Sequence, residues 1–114
     1  MSKKPQIVID TNIVISAQRS KLGASSKLLS LMGTGKFDAH ISVPLAIEYE
    51  AVLIRYCKDL GLTIQEVNDL VDALCALSIP HEIHFLWRPY LRDAADEHIL
   101  EVAVAGNCDY IVTF

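Results

Sequence analysis

Near the start of the chain three β-branched residues stand in a row, Ile7-Val8-Ile9, and the run stops on an acid, Asp10. Side chains alternate between the two faces of a strand, so a strand that is apolar at every position has no face left for solvent. Strands of this kind belong to parallel sheets covered by helices on both sides. A first strand over residues 6–9 therefore commits the chain to a layered architecture in which helices follow strands.

The rest of the chain obeys that alternation. Residues 12–17 and 25–32 have helical patterns, separated by Lys21-Leu22-Gly23-Ala24-Ser25 and ended by Gly33 and Gly35. Residues 38–42 make a short strand. Pro44 then opens a helix at the favoured first turn, and its pattern runs to about Leu60 before Gly61 caps it. Thr63-x-x-Glu66 is a capping box that starts another helix, with Val67, Leu70, Val71, Leu74 and Leu77 on one stripe and Pro80 as its stop. That stripe is either core or the face of a homodimer. Residues 81–86 follow as a third strand, 87–92 as a loop, 96–105 as a helix ended by Gly106, and 109–114 as the last strand. Strands separated by helices throughout imply an α/β fold with a mainly parallel sheet.

At 114 residues, 52% of them hydrophobic and 21% charged, the chain is one domain with a shared core. No run approaches the roughly 18 apolar residues of a membrane span. Ten basic residues stand against 14 acidic ones, a formal charge of −4 and the reverse of the usual nucleic-acid-binding balance. Nucleic acid is not thereby excluded, because carboxylates clustered around a divalent cation account for part of the excess and the cation supplies the positive field. Cys57, Cys75 and Cys108 are an odd set with no C-x-x-C pair, which reads as reduced core thiols. Met1-Ser2-Lys3-Lys4-Pro5 runs straight into a strand without the apolar segment of a secretory signal, so a cytoplasmic location is expected.

Ligand sites in open parallel sheets lie beyond the carboxyl ends of the strands, and Asp10 sits at such an end. A helix N-cap would explain it equally well on its own. Glu48 falls in register with Leu45, Tyr49, Val52 and Tyr56, the stripe that must face the core, whereas Glu50 is rotated from it by roughly 200° and points to solvent. In Asp93-Ala94-Ala95-Asp96, Asp96 precedes Ile99 by three residues and takes the core side, while Glu97 and Glu101 share an outer face. Asp96 also precedes its helix and is a second potential cap. Several inward acids in one crevice repel one another and require a proton or a cation to hold them. Oxygen-only ligands suit Mg²⁺ or Mn²⁺, and with them metal-assisted hydrolysis of a phosphodiester.

Ile7-Val8-Ile9-Asp10-Thr11-Asn12, Ser42-x-x-Leu45-x-x-Glu48, Asp93-x-x-Asp96 and Ala105-Gly106-Asn107-Cys108-Asp109-Tyr110-Ile111-Val112-Thr113, in this order, resemble the PIN domain family, of the kind found in VapC-like toxins. The resemblance covers nearly the whole chain. It implies a three-layer α/β/α sandwich and a Mg²⁺- or Mn²⁺-dependent ribonuclease, often the toxin of a toxin–antitoxin pair held silent by a small antitoxin protein. Asp10, Glu48 and Asp96 match the family's first, second and third acids as metal ligands, and Asp93 matches an acid often seen just before the third. Thr11 and Asn12 match positions beside the first acid, and Thr113 the Thr of the last motif. In the family a further acid follows that Thr, and here the sequence ends at Phe114, so the expectation is a PIN-like domain over residues 1–114 that lacks one ligand and the last elements of the fold. The alternative to an enzyme is then an inert PIN-like scaffold that binds RNA or a protein.

Weaker signals complete the reading. Arg88 and Arg92, and Arg19, Lys21 and Lys27, are candidates for phosphate contacts or simply solvated charges. Trp87 and Tyr90 would stack on a base or pack beneath their loop. His81 and His84 fall on opposite faces of the third strand, and His98 on the outer face of its helix. A phosphatase with Asp10 as nucleophile would call for D-x-D, but position 12 is Asn.

Overall fold

The first strand, β1 (Gln6–Ile9), is buried at each of Ile7, Val8 and Ile9, with exposures of 5, 0 and 2%. Since neighbouring side chains point to opposite faces, both faces of the sheet are covered. The computed structural model describes residues 4–82 and 94–113, those of 94–97 by their backbone alone. After β1 come α1 (Thr11–Arg19), α2 (Ala24–Ser30), β2 (Asp38–Ser42), α3 (Val43–Arg55), α4 (Cys57–Leu60), α5 (Ile64–Ala76), β3 (Ser78–His81), α6 (Ala94–Ala105) and β4 (Tyr110–Val112). Among the described residues the strands form one sheet in the order β3-β2-β1-β4, with every pairing parallel. This is the α/β sandwich that the alternating pattern implies.

Register ties the sheet together at both ends of β1. Gln6 lies opposite Asp38, Ile7 opposite both Ala39 and Tyr110, and Ile9 opposite Val112. The helices close over the strands with Ile13 and Val14 of α1, Leu45 and Leu53 of α3, and Ile99 and Val102 of α6, all buried. Val67, Val71 and Leu74 of α5 join the same core, so that stripe packs inside the protomer, while Leu77 is half exposed.

Several boundaries differ from expectation, each for a physical reason. The helix opened at Pro44 breaks at Tyr56, where the backbone leaves helical angles (φ −105°, ψ 9°) and the ring takes the Arg19 guanidinium at 5.9 Å. α4 follows, and Gly61 ends it at φ 70°, a left-handed conformation that suits glycine. The third strand begins at Ser78, three residues early, because Pro80 does not stop α5 but lies within β3. An edge strand pairs on one side only and so tolerates a residue without an N–H. Residues 83–86 of the expected strand lie outside the described residues. Cys75 is exposed rather than core, while Cys57 and Cys108 are half-buried, and all three thiols are free.

The N-terminus of α5 is fixed by reciprocal hydrogen bonds: the Glu66 N–H donates to Thr63 Oγ1 at 3.1 Å, and the Thr63 N–H donates to Glu66 Oε1 at 3.0 Å. Removing the hydroxyl leaves a donor of the first turn unsatisfied. Thr63→Ala is expected to lower unfolding free energy in urea by about 1 kcal/mol, and Thr63→Ser to retain most of it.

Candidate active site

From β1 the chain moves outward to β2 and β3, then crosses back to lay β4 on the other side of β1. The strand order thus reverses at β1, and the carboxyl ends of β1 and β4 flank the crevice where open parallel sheets bind ligands. Asp10 and Thr113 are the residues that follow those two strands.

Asp10 stands at the N-cap position of α1 with extended backbone angles, yet its side chain makes no cap hydrogen bond. Its N–H continues the ladder to the Val112 carbonyl at 2.9 Å. Its carboxylate instead accepts from Thr113, whose hydroxyl donates to Oδ2 at 2.6 Å. Asn12 Nδ2 donates in turn to the Thr113 oxygen at 3.4 Å. The structure therefore joins Asn12, Thr113 and Asp10 in one directed chain, although Thr113 is 101 and 103 residues away from the other two in sequence. Thr11 begins α1 with its hydroxyl buried and without a partner.

Glu48 is half-buried on α3 beside Tyr49, and neither it nor Asp10 is ion-paired among the described residues. The next residue explains how this turn of α3 is placed. The Tyr49 hydroxyl, buried, donates to the Ile9 carbonyl at the end of β1. Burial, and then the negative charge of Asp10, push its ionisation far above the usual tyrosine range, so it remains a donor. The sequence placed Tyr49 in the inward stripe without this role, and the signal was available: a buried tyrosine hydroxyl requires an acceptor. Glu50 is exposed, as its rotation from Glu48 requires.

The third part of the expected site is only partly in view. α6 starts at Ala94, so Asp96 is inside its first turn rather than ahead of it. The Asp96 side chain, Asp93, Arg88, Arg92, Trp87, Tyr90 and His84 lie outside the described residues. Lys21 and Lys27 are exposed. Glu101 overturns its assignment to an outer face: it is 2% exposed, and both carboxylate oxygens lack partners. α6 packs against β1, β2 and α3 together, so its buried arc is wider than the Ile99–Val102 stripe. His98 is half-buried, with Nδ1 unpartnered.

Among the described residues no three His, Cys, Asp or Glu side chains are grouped to hold a metal ion. The donor chemistry of Asp10 and Glu48 nevertheless fits a hard divalent cation. Both offer oxygen, neither is neutralised by a protein cation among the described residues, and the Thr113 hydroxyl orients one oxygen of Asp10.

A parallel α/β sheet with an oriented acid at the point where strand order reverses defines the class of protein. The sequence model of the PIN domain family matches residues 6–114, and the chain belongs to that family. PIN domains are generally nucleases that use divalent metal ions. No curated protein matches the chain. Among the described residues, no helix is long and apolar enough to cross a membrane.

Replacing Tyr49 by Phe removes a buried donor from the end of β1, with an expected loss of about 1 kcal/mol of stability at neutral pH. The unfolded tyrosine ionises near its ordinary value of 10.0 while the folded one does not, so this contribution is present below pH 10.0 and fades above it. Urea unfolding of both proteins across that range should show the gap narrowing as pH rises.

Proposed function

We propose that this chain is a metal-dependent endoribonuclease in which Asp10, Glu48 and Asp96, with Asp93 beside them, hold Mg²⁺ or Mn²⁺. The observation that carries this reading is the Asp10 carboxylate held by Thr113 at the carboxyl ends of two adjacent parallel strands. When bound, such a cation acidifies water and neutralises charge on the phosphodiester. Asp10 supplies the central carboxylate. Thr113, itself held by Asn12, fixes which oxygen of Asp10 remains available. Glu48 lies on the turn of α3 that Tyr49 pins to β1. Asp96 belongs to the first turn of α6, a helix that packs on β1 and α3. Asn12 acts on Asp10 through Thr113, and Thr11 stands beside Asp10 with its hydroxyl buried and without a partner.

The biological reading that goes with this chemistry is the toxin of a toxin–antitoxin pair, acting on cytoplasmic RNA and restrained by a small antitoxin protein. It rests on membership of the PIN domain family and on the oxygen donors at the sheet edge.

Purified protein incubated with RNA and Mn²⁺ or Mg²⁺ is expected to cleave it, and Asp10→Asn to reduce cleavage to background. Thr113→Val should cost about 10-fold in Mn²⁺ affinity measured by calorimetry, with Thr113→Ser close to wild type. Equal cleavage by wild type and Asp10→Asn would remove the enzyme reading, and calorimetry without acid-dependent metal uptake would leave a binding scaffold.

A further inference from the structure

Along the β2–β3 side of the sheet a second polar network, built around two histidines, runs down to Gln6 at the start of β1. His40 lies in the middle of β2, 5% exposed, and its Nδ1 is 2.6 Å from His81 Nε2 at the end of β3. The rings lie edge to edge, with centroids 4.9 Å apart and planes 18° from parallel. His40 Nε2 is 2.6 Å from Gln6 Oε1. Gln6 Nε2 donates to Asp38 Oδ2 at 2.9 Å and to the Lys4 carbonyl at 3.2 Å, and Lys4 Nζ pairs with Asp38 at 3.2 Å. Because the Gln6 amide spends its N–H groups on Asp38 and Lys4, its oxygen faces His40, and His40 Nε2 must donate. The remaining nitrogen of a neutral His40 is then an acceptor, which His81 fills by donating from Nε2. The bonds run one way, from His81 through His40 and Gln6 to Asp38.

The direction of that chain limits how many protons it can hold. One extra proton is accommodated on the outer nitrogen of His81, which leaves its Nε2–H still donating. While His81 keeps its Nε2–H, a proton on His40 Nδ1 would set two N–H groups against each other across 2.6 Å. The rings have little room to part, since a Cβ on Gly106 would meet His40 Nδ1 at 2.6 Å, His81 Nε2 at 3.0 Å and Cys108 Sγ at 3.1 Å. The turn after α6 thus closes over the pair. Register places His81 opposite Ser42, whose hydroxyl accepts from the Leu45 N–H at the start of α3.

We propose that the His40–His81 pair is an acid-released latch, which holds the edge strand β3 to the core while His40 is neutral and frees it when His40 is protonated. The surrounding groups support that direction. Burial and the neighbouring His81 lower the proton affinity of His40, and the charge of Asp38, partly met by Lys4, opposes them without reversing the shift. On the Gly106 side the Cys108 thiol, pushed up to about 11 by burial and Asp109, is neutral. Cys75 of α5, near the same end of β3, is raised in the same sense. Glu82 follows His81 and has contacts of its own, and buried Glu101 belongs to the α6 helix that packs on β2. The unfolded chain protonates His40 near 6.5 and the folded chain resists, so the latch is complete above pH 6.5 and is lost as pH falls below it.

Hydrogen exchange on the full chain at pH 7.5 and pH 5.0 tests the proposal. Protection factors of β3 amides are expected to drop about 10-fold or more at pH 5.0 relative to those of β1, and His40→Gln to abolish that difference. Imidazole ¹⁵N spectra of the wild type require no variant: His40 should show a single neutral Nε2–H tautomer at pH 7.5 and become protonated only where β3 loses protection. Unchanged β3 protection at pH 5.0, the same loss in His40→Gln, or a protonated His40 beneath a fully protected β3 would each overturn it.

Discussion

β1 is hydrogen-bonded on both sides and buried on both faces, and every other element takes its position from it. Its register with β2 sets where α3 begins, because Ser42 ends β2 and caps that helix in one step. Its register with β4 brings Thr113 level with Asp10. Its last carbonyl receives the Tyr49 hydroxyl and so fixes the turn of α3 that carries Glu48. Slipping a strand by one residue would invert every side chain on it. With no polar residue among Ile7, Val8 and Ile9, a slip of β1 itself would carry Asp10 or Gln6 into an apolar layer, which the cost of burying an unpaired charge or amide forbids.

The two ends of this sheet are chemically distinct, and a comparison of Asp10 with Asp109 makes the difference plain. Asp109 precedes β4, accepts from the Gln6 N–H at 2.9 Å, and donates its own N–H to the Gln6 carbonyl at 2.7 Å. It joins two strand starts and belongs to the same closed network as Lys4, Asp38 and the histidine pair. Asp10 follows β1 and meets only neutral donors among the described residues, a hydroxyl and, through it, an amide. A carboxylate oriented but not neutralised is suited to a cation from outside the chain, whereas one already engaged with backbone donors has a structural role.

The parts of this architecture carried by periodicity were legible in the chain itself. The all-apolar β1, the capping box at Thr63, and the acid at a strand end required only local spacing. Features that depend on what packs against what were not. Pro80 has the same local chemistry whether it stops a helix or occupies an edge strand, and only the place of β3 in the sheet decides. Glu101 has the helical phase of an outer residue, but α6 contacts α3 as well as the strands, so no outer face exists at that position. The His40–His81 pair joins residues far apart in sequence, and a histidine within a short strand carries no sign of its partner. The Asp10–Thr113 bond is of the same kind, since the motifs named both residues but only the strand order makes them neighbours.

That dependence on strand order has a consequence for how the site forms. β4 has three residues, is held by β1 and α6, and leaves Tyr110 63% and Ile111 43% exposed. An element with so little buried surface lies at the low end of local stability, while β1 at the centre of the sheet lies at the high end. Asp10 therefore follows a fully buried strand, and Thr113 a short strand with little buried surface. Under the proposed function, metal uptake at Asp10 and the seating of β4 would favour one another through the Thr113 hydroxyl, because a cation that prefers the oriented carboxylate would shift the population toward the closed arrangement.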